Sequence, residues 1–328
     1  MTRFKIYKLR FTTPLHLGDE RADYDNTLQT YHSDSMYAAI TAVLAKTGQN
    51  VPRNGDWGFQ ISSLFPYYQK GNETVYFLPK SFKHDDCDPE LRKAVKKVEW
   101  LDIAYFNKYI NGESLFKNGL NKDAIQSAYM TDVEIDDEFI SKEVNPRVRV
   151  PRTGQEDARP FYMERLYFKY DSGMYFIVVG ENLSLVDKAL NILKDEGIGT
   201  DRTVGNGFFE WTTDEIELDL PESEQTTNLS MFIPENREQL QTMLNGQNTA
   251  YTFQKRGGWL TEEGLNTFRK NSIYMFNEGS IFKYNQINKP EIMGRIVDLA
   301  PELDYNHLNK AKHPVWRNGK AIFIPVKA

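Results

Sequence analysis

The stretch GIGTDRTVGNGFFE, Gly197 to Glu210, sets Gly197, Gly199, Gly205 and Gly207 between a helical pattern and a run of aromatics. Upstream, LSLVDKALNILKDEG places Val186, Ala189, Leu190 and Leu193 on one stripe, which predicts an amphipathic helix. Ser184 and Asp187 have capping-box spacing at its start. Downstream, FFEWTTDEIELDL reads as a strand. A glycine loop that leaves a helix and enters a strand reverses the Rossmann order, and no Gly-Lys-Ser/Thr follows it, so it is not a P-loop. Two readings stay open. The glycines can supply positive φ and close helix–strand packing, or their amides and Arg202 can lie against a phosphate backbone. Asp201, beside Arg202, opposes phosphate binding unless the arginine turns away from it.

That loop closes a longer pattern. Residues 4–11, FKIYKLRF, alternate Tyr7, Leu9 and Phe11 with Lys8 and Arg10, a strand. After TPLHLGDE, a helix is expected from Ser33 or Asp34, either of which can cap it, with Met36, Ala39, Ile40, Val43 and Leu44 as the buried stripe and Gly48 as its end. ERLYFKYDSGMYFIVVG reads as a hairpin around Asp-Ser-Gly. The order is then β–α–(insert)–β–β–α–β, which is ferredoxin-like or RRM-like, an α+β fold with a long insertion. Within the insertion, TVYFLPKSF looks like a short strand and DPELRKAVKKVEWL like a charged helix. The rest of residues 50–140 carries no assignment. PESEQTTN, residues 221–228, is polar and contains proline, a candidate linker. It divides the chain into 1–220 and 221–328. ENREQLQTML reads as helical and TAYTFQKRGGWL as a strand entering a glycine turn, so the second unit resembles a degenerate copy of the first.

Forty Lys+Arg face forty-six Asp+Glu, a net charge of -6, which argues against a protein that coats nucleic acid without specificity. A local basic groove is still compatible with that sum. A single cysteine, Cys87, excludes an internal disulfide and favours a reducing, cytoplasmic setting. There is no apolar run of membrane-spanning length, and MTRFKIYKLRF lacks the apolar core of a signal peptide.

Three further places carry chemistry. In NPRVRVPRTG, alternation puts Arg147 and Arg149 on one face of an extended segment, followed by Arg152 and a Thr153-Gly154 turn, with Arg159 beyond. The segment is either a solvated edge strand or an arginine clamp for phosphates and bases. FQKRGGWL combines Lys255, Arg256, Gly257, Gly258 and Trp259. That is either a strand end with a buried tryptophan or cation-plus-aromatic chemistry for single-stranded RNA. His16, near Gly18, and His32 flank the first loop, where a histidine can act as a general acid or base or be structural. Asp34, at a helix start, is explained by capping. HDDCD, residues 84–88, lacks a second ligand cluster and reads as a solvated loop, so neither metal nor cofactor is expected.

Taken together, PLHLG, HSDSMYAAI, RVRVPRTG, GIGTDRTVGNGFFE, RGGWL, NEGSIFK and HPVWRNGKAIFIPV resemble subunit four of the type III-A CRISPR effector (Csm) complex, a RAMP-superfamily family. The matches run in order from about residue 3 to residue 326. The resemblance implies two ferredoxin-like domains and no catalysis. It implies binding of the repeat-derived 5′ handle of the guide RNA (crRNA), with contacts to the large palm-domain subunit and to a RAMP backbone subunit. On that basis the expected RNA-contacting residues are Arg147, Arg149, Arg152, Thr153, Gly154, Gly197, Gly199, Arg202, Gly205, Gly207, Lys255, Arg256, Gly257, Gly258, Trp259, His16 and Gly18. The enzyme alternative is a RAMP endoribonuclease that processes precursor crRNA.

Overall fold

The computed structural model describes residues 1–18, 24–84, 87–117, 122–150, 157–260, 265, 267–287, 289–302 and 314–327. Its first strand, β1 (Thr2–Phe11), lies between β10 (Gly173–Gly180) and β11 (Phe209–Leu218), antiparallel to both. Strands β2 (Phe59–Ile61) and β3 (Phe65–Lys70) pair with the other edge of β10. Beyond β3 the sheet continues through β4 (Glu73–Pro79), β5 (Trp100–Asp102), β7 (Tyr129–Met130) and β6 (Ile125–Gln126). The insertion, mostly without assignment from sequence, therefore extends the main sheet. Its charged segment forms only the short α2 (Arg92–Val95), ahead of β5 and α3 (Ile103–Ile110).

Both faces of this sheet are covered. Tyr7 and Leu9 of β1 pack with α1 (Ser33–Lys46) and α4 (Leu183–Glu196), through Met36, Ile40, Val186 and Leu190. Phe4 and Ile6 point the other way, into a core completed by Phe106 and Tyr109 of α3 and by Ile281, Ile322 and Ile324 of the C-terminal half. That two-sided burial lets β1 hold apolar residues on both parities at its N-terminal end while Lys8 and Arg10 stay at the margin.

The expected hairpin at residues 164–180 does not form. β9 (Arg159–Phe168) pairs instead with β8 (Ile140–Arg149) over ten residue pairs, making a separate two-stranded arm, while β10 enters the main sheet. Asp-Ser-Gly does turn the chain, but it turns it out of the arm. The strand between β1 and β10 in chain order that completes the sheet is supplied by residues 59–70.

The expected linker is also a strand. β12 (Glu222–Asn228) is central in a four-stranded sheet ordered β15 (Ile281–Ile287), β12, β19 (Ala321–Pro325), β16 (Glu291–Met293). Thr226, Thr227 and Asn228 are buried there, and the Thr226 hydroxyl donates to the Ile324 carbonyl at 2.9 Å. Polarity misled because threonine suits a strand, and Thr226 satisfies its hydroxyl across the sheet. The remaining elements are α5 (Arg237–Leu244), the pair β13 (Phe253–Arg256) and β14 (Ile273–Phe276), and the pair β17 (Ile296–Asp298) and β18 (Trp316–Asn318). Among the described residues no strand pairing crosses residue 220, and no helix is long and apolar enough to cross a membrane.

Two helix starts differ from expectation. α1 is preceded by His32 in extended conformation with no side-chain cap; Ser33 and Asp34 are already helical and their side chains are used elsewhere. α4 is preceded by Asn182, whose side chain donates to the Trp57 carbonyl, and Ser184 lies inside the helix.

Candidate nucleic-acid interface

The glycine loop has a geometric cause at most of its glycines. Gly197 ends α4 with φ 78°, its amide closing the last turn on the Leu193 carbonyl at 2.7 Å. A Cβ on Gly199 would sit 2.5 Å from the His16 carbonyl oxygen, and one on Gly207 2.0 Å from that of Ile198. The Gly207 amide donates to Pro14, and Gly199 has a backbone hydrogen bond with the Tyr31 hydroxyl. The Gly205 amide donates to Arg202 across a short helical turn. The amides expected to face RNA are thus spent on protein acceptors. What the loop presents outward is its tip: Thr203 and Val204 are exposed, Arg202 is half-buried, and a Cβ on Gly205 would meet open space. Asp201 takes left-handed φ and forms no ion pair with Arg202; Arg202 instead lies close enough to Tyr31 to act on its hydroxyl.

The first loop and the arm meet at this tip. The Thr200 amide donates to the His16 carbonyl at 2.9 Å, and His16, only 2 % exposed, sets Nδ1 2.6 Å from the Glu164 carbonyl of β9. Leu15 pairs with Leu166, and the Glu164 amide donates to Tyr24. Tyr24 is half exposed; its ring stacks near His16 at 6.2 Å and meets Phe161 of the arm at 5.6 Å. Register fixes the faces of the arm. Arg147 lies opposite Phe161, and the register pairs Arg149 with Arg159; Arg147, Arg159 and Phe161 share the face on which Phe161 turns toward Tyr24. Val144, Val148 and Tyr162 lie on the other face and are more than half exposed. Arg147 makes no ion pair among the described residues. Arg152, Thr153 and Gly154 lie outside the described residues, as do Asp85 and Asp86 of the HDDCD loop. Gly18 is exposed beside Thr200.

Other expected contacts resolve into a buried seam between the two halves of the chain. Asp34 is fully buried. Arg256 of β13 donates to both its oxygens at 2.9 and 3.2 Å and to the Ser35 hydroxyl at 2.8 Å. Arg317 of β18 donates to Asp34 at 2.6 Å and to the Gly257 carbonyl at 2.8 Å. Burial pushes the Asp34 carboxyl up, but Arg256 and then Arg317 outweigh it and hold it well below the usual range. Arg256 is therefore a structural cation, and Asp34 its partner rather than a helix cap. Beside this triad, His32 Nδ1 lies 2.9 Å from Glu278, which also accepts from Ser63, while His32 Nε2 meets Gln254. Burial raises Glu278, yet His32 and the Ser63 hydroxyl bring it below its ordinary value. The Ser33 hydroxyl accepts from the Met231 amide.

The outward face of the β13–β14 pair is different. Lys255 lies opposite Tyr274 and Phe253 opposite Phe276, on the side away from Arg256. Lys255, Phe253 and Tyr274 are exposed. Trp259, expected as either packed or stacking, is 50 % exposed, with the Arg269 guanidinium 4.7 Å above its ring. Gly258, at φ 105°, has open space where a Cβ would be. Sequence reasoning missed Tyr24, Tyr31, Phe253, Tyr274 and Arg269. Pairing register brings forward Phe253 and Tyr274, and ring contacts and hydrogen bonds in the fold bring forward the others.

Residues 221–326 match the family described as the CRISPR Csm4 C-terminal domain. The chain is similar to the protein described as CRISPR system Cms protein Csm4 of Streptococcus thermophilus, 26% identical over 333 residues, covering 94% of this chain and 97% of that one. It is likewise similar to the protein of that description from Thermococcus onnurineus (strain NA1), 28% identical, covering 80% and 84%. Among solved structures, it is similar to a chain of the Csm3–Csm4 subcomplex in the type III-A CRISPR-Cas interference complex, with a TM-score of 0.61 at 18% identity over all of both chains. A chain of the Csm1–Csm4 cassette in complex with cA4 gives 0.58 at 18%, covering 99% and 98%. Nearly full-length similarity to several such proteins, together with the C-terminal match at residues 221–326, makes the chain similar along its length to the Csm4 proteins of CRISPR systems.

Proposed function

We propose that this chain is a non-catalytic subunit that holds the repeat-derived 5′ handle of crRNA in a type III-A interference complex, in antiviral defence in the cytoplasm. The observation that carries the reading is the convergence of three elements. The arm face bearing Arg147, the His16–Tyr24 loop and the tip of the glycine loop are joined by hydrogen bonds and ring contacts into one surface. Arginines without a carboxylate beside exposed aromatics are the chemistry of single-stranded RNA binding. Lys255 and Trp259 extend the same chemistry to the C-terminal half. We read residues 1–220 and 221–328 as two ferredoxin-like units. The order β11-β1-β10-β2/β3, with α1 and α4 on one face, supports this for the first.

The relatives solved with Csm1 and with Csm3 support a palm-domain subunit and a backbone subunit as partners of this chain. Geometry favours the scaffold over the ribonuclease. His16 is buried with Nδ1 on a backbone carbonyl, His32 is clamped by Glu278 and Gln254, and Asp34 is shut between two guanidiniums. Co-expression with the neighbouring genes of its operon tests the reading. A repeat-derived RNA, a palm-domain subunit and a backbone subunit should co-purify with the tagged chain. Recovery of the protein partners without RNA would refute handle binding. Purified chain incubated with repeat RNA in EDTA should leave it intact; cleavage abolished by His16→Ala would refute the non-catalytic assignment.

A further inference from the structure

Arg165 of β9 is 7 % exposed and yet has no carboxylate partner among the described residues. Its Nε has no hydrogen-bond partner among them, and an Nη meets only the Met163 sulfur at 3.6 Å. Two acidic residues of the arm are otherwise placed. Glu143 lies opposite Arg165 in the arm, exposed and making no ion pair with it. Glu164, the next residue, faces the other side, accepting from the Thr27 amide at 2.7 Å and pairing with Lys142 at 3.7 Å. A guanidinium does not neutralise itself by losing its proton, so burying it unpaired is strongly unfavourable. The seam shows the usual solution in this same molecule, where Arg256 and Arg317 share Asp34.

We infer that Arg165 is a preformed anion site at the root of the arm, filled by a phosphodiester of the bound RNA. Three observations point to that ligand. By register Arg165 lies on the face that carries Arg147 and Arg159. The adjoining carbonyl, of Glu164, fixes His16 in the first loop, so the site sits where arm and loop join. The planar guanidinium fork, with its Nε left without a partner among the described residues, suits two-point capture of phosphate oxygens. The role is positional: the RNA backbone supplies the missing counter-charge and pins the arm to the first loop. This inference rests on the RNA-binding reading of the surface, and its test separates the two.

The test uses the full chain and a fluorescein-labelled RNA of the repeat from the same CRISPR locus. Arg165→Met keeps volume and removes the charge. The RNA-free variant should unfold a few degrees higher than wild type, because an unpaired buried charge is gone. Its RNA affinity should fall about tenfold, as for a lost charge-assisted hydrogen bond. The slope of log affinity against log salt should be shallower by about 0.7, the value for one neutralised phosphate on a single strand. Arg165→Lys, the more conservative change, should keep the slope and lose several-fold in affinity. Wild-type affinity in both variants would overturn the site. If wild-type chain binds no RNA, the RNA reading fails, and inorganic phosphate decides the rest. A larger rise of melting temperature in wild type than in Arg165→Met keeps the anion site, and equal rises overturn it.

Discussion

Arginines occupy two regions of this molecule in opposite electrostatic states. At the seam, Arg256 and Arg317 converge on Asp34, and every charge is buried and matched. At the arm and the glycine-loop tip, Arg147 and Arg202 have no ion pair among the described residues. The short segment from Tyr31 to Asp34 touches both. Burial raises the Tyr31 hydroxyl, while Arg202 on one side and Arg256 on the other work against it. What separates the regions is whether the protein supplies the counter-charge itself. Where it does, the arginine joins two halves of a fold; where it does not, the guanidinium is left for a ligand, which the proposed function takes to be RNA.

The comparison breaks most visibly at Arg256. Arg256→Ala leaves a wholly buried carboxylate with one cation instead of two. Removing one partner of a buried pair costs about 3–5 kcal/mol, so a chemical denaturation midpoint should drop sharply or the chain should fail to fold. Loss of RNA binding without loss of stability would instead move Arg256 to the RNA surface.

The glycine loop sharpens the same contrast on a smaller scale. Gly207→Ala drives a Cβ to 2.0 Å from the Ile198 carbonyl at φ 77°. Overpacking and left-handed strain together should cost about 3 kcal/mol. Gly205→Ala meets no atom within 4 Å, so only the backbone strain, about 1 kcal/mol, remains. Equal losses in the two variants would mean that the loop tip is packed as tightly as its base.

Much of this is legible in the residues. The helical stripes of α1 and α4 and the strand β1 follow from periodicity, because burial on one face repeats with the geometry of the element. The glycine loop, too, lies between helix and strand as its flanking patterns require. Two things are not readable. Strand partnership is non-local, so ERLYF looks like a hairpin partner of MYFIVVG while its register belongs to residues 140–149. Counter-ions are non-local too: nothing in RGGW indicates that Arg256 finds Asp34, 222 residues away. Motif chemistry therefore points to RNA for both Arg256 and Arg202, and only distance separates them.

Acid should dismantle the seam before the arm. Asp34 and Glu278 are both held below the ordinary carboxylate range in the folded protein. Each therefore contributes stability that is complete above its unfolded value and lost as pH falls through its folded value. Unfolding free energy should decline below about pH 4.5, the unfolded carboxylate range, and keep declining beneath it. Glu278→Gln starts from lower stability but should lose less of it over that window. A profile as steep as wild type would show that the His32–Glu278 pair carries none of the linkage.

The smallest effect on stability is expected where the effect on binding is largest. Arg147→Ala, Arg149→Ala and Arg152→Ala combined remove cations from the arm, where Arg147 satisfies no buried carboxylate, so the unfolding midpoint should not move. Guide RNA retained by the purified complex should fall, and the salt slope of RNA binding should flatten by about 0.7 for each phosphate no longer neutralised. Phe161 and Tyr24, left in place, keep a salt-resistant component from stacking, so binding should weaken rather than vanish. Unchanged RNA content would mean that the arm serves a protein partner through its exposed Val144, Val148 and Tyr162 face. A lowered midpoint would mean that the arm arginines, like those of the seam, have counter-charges within the fold.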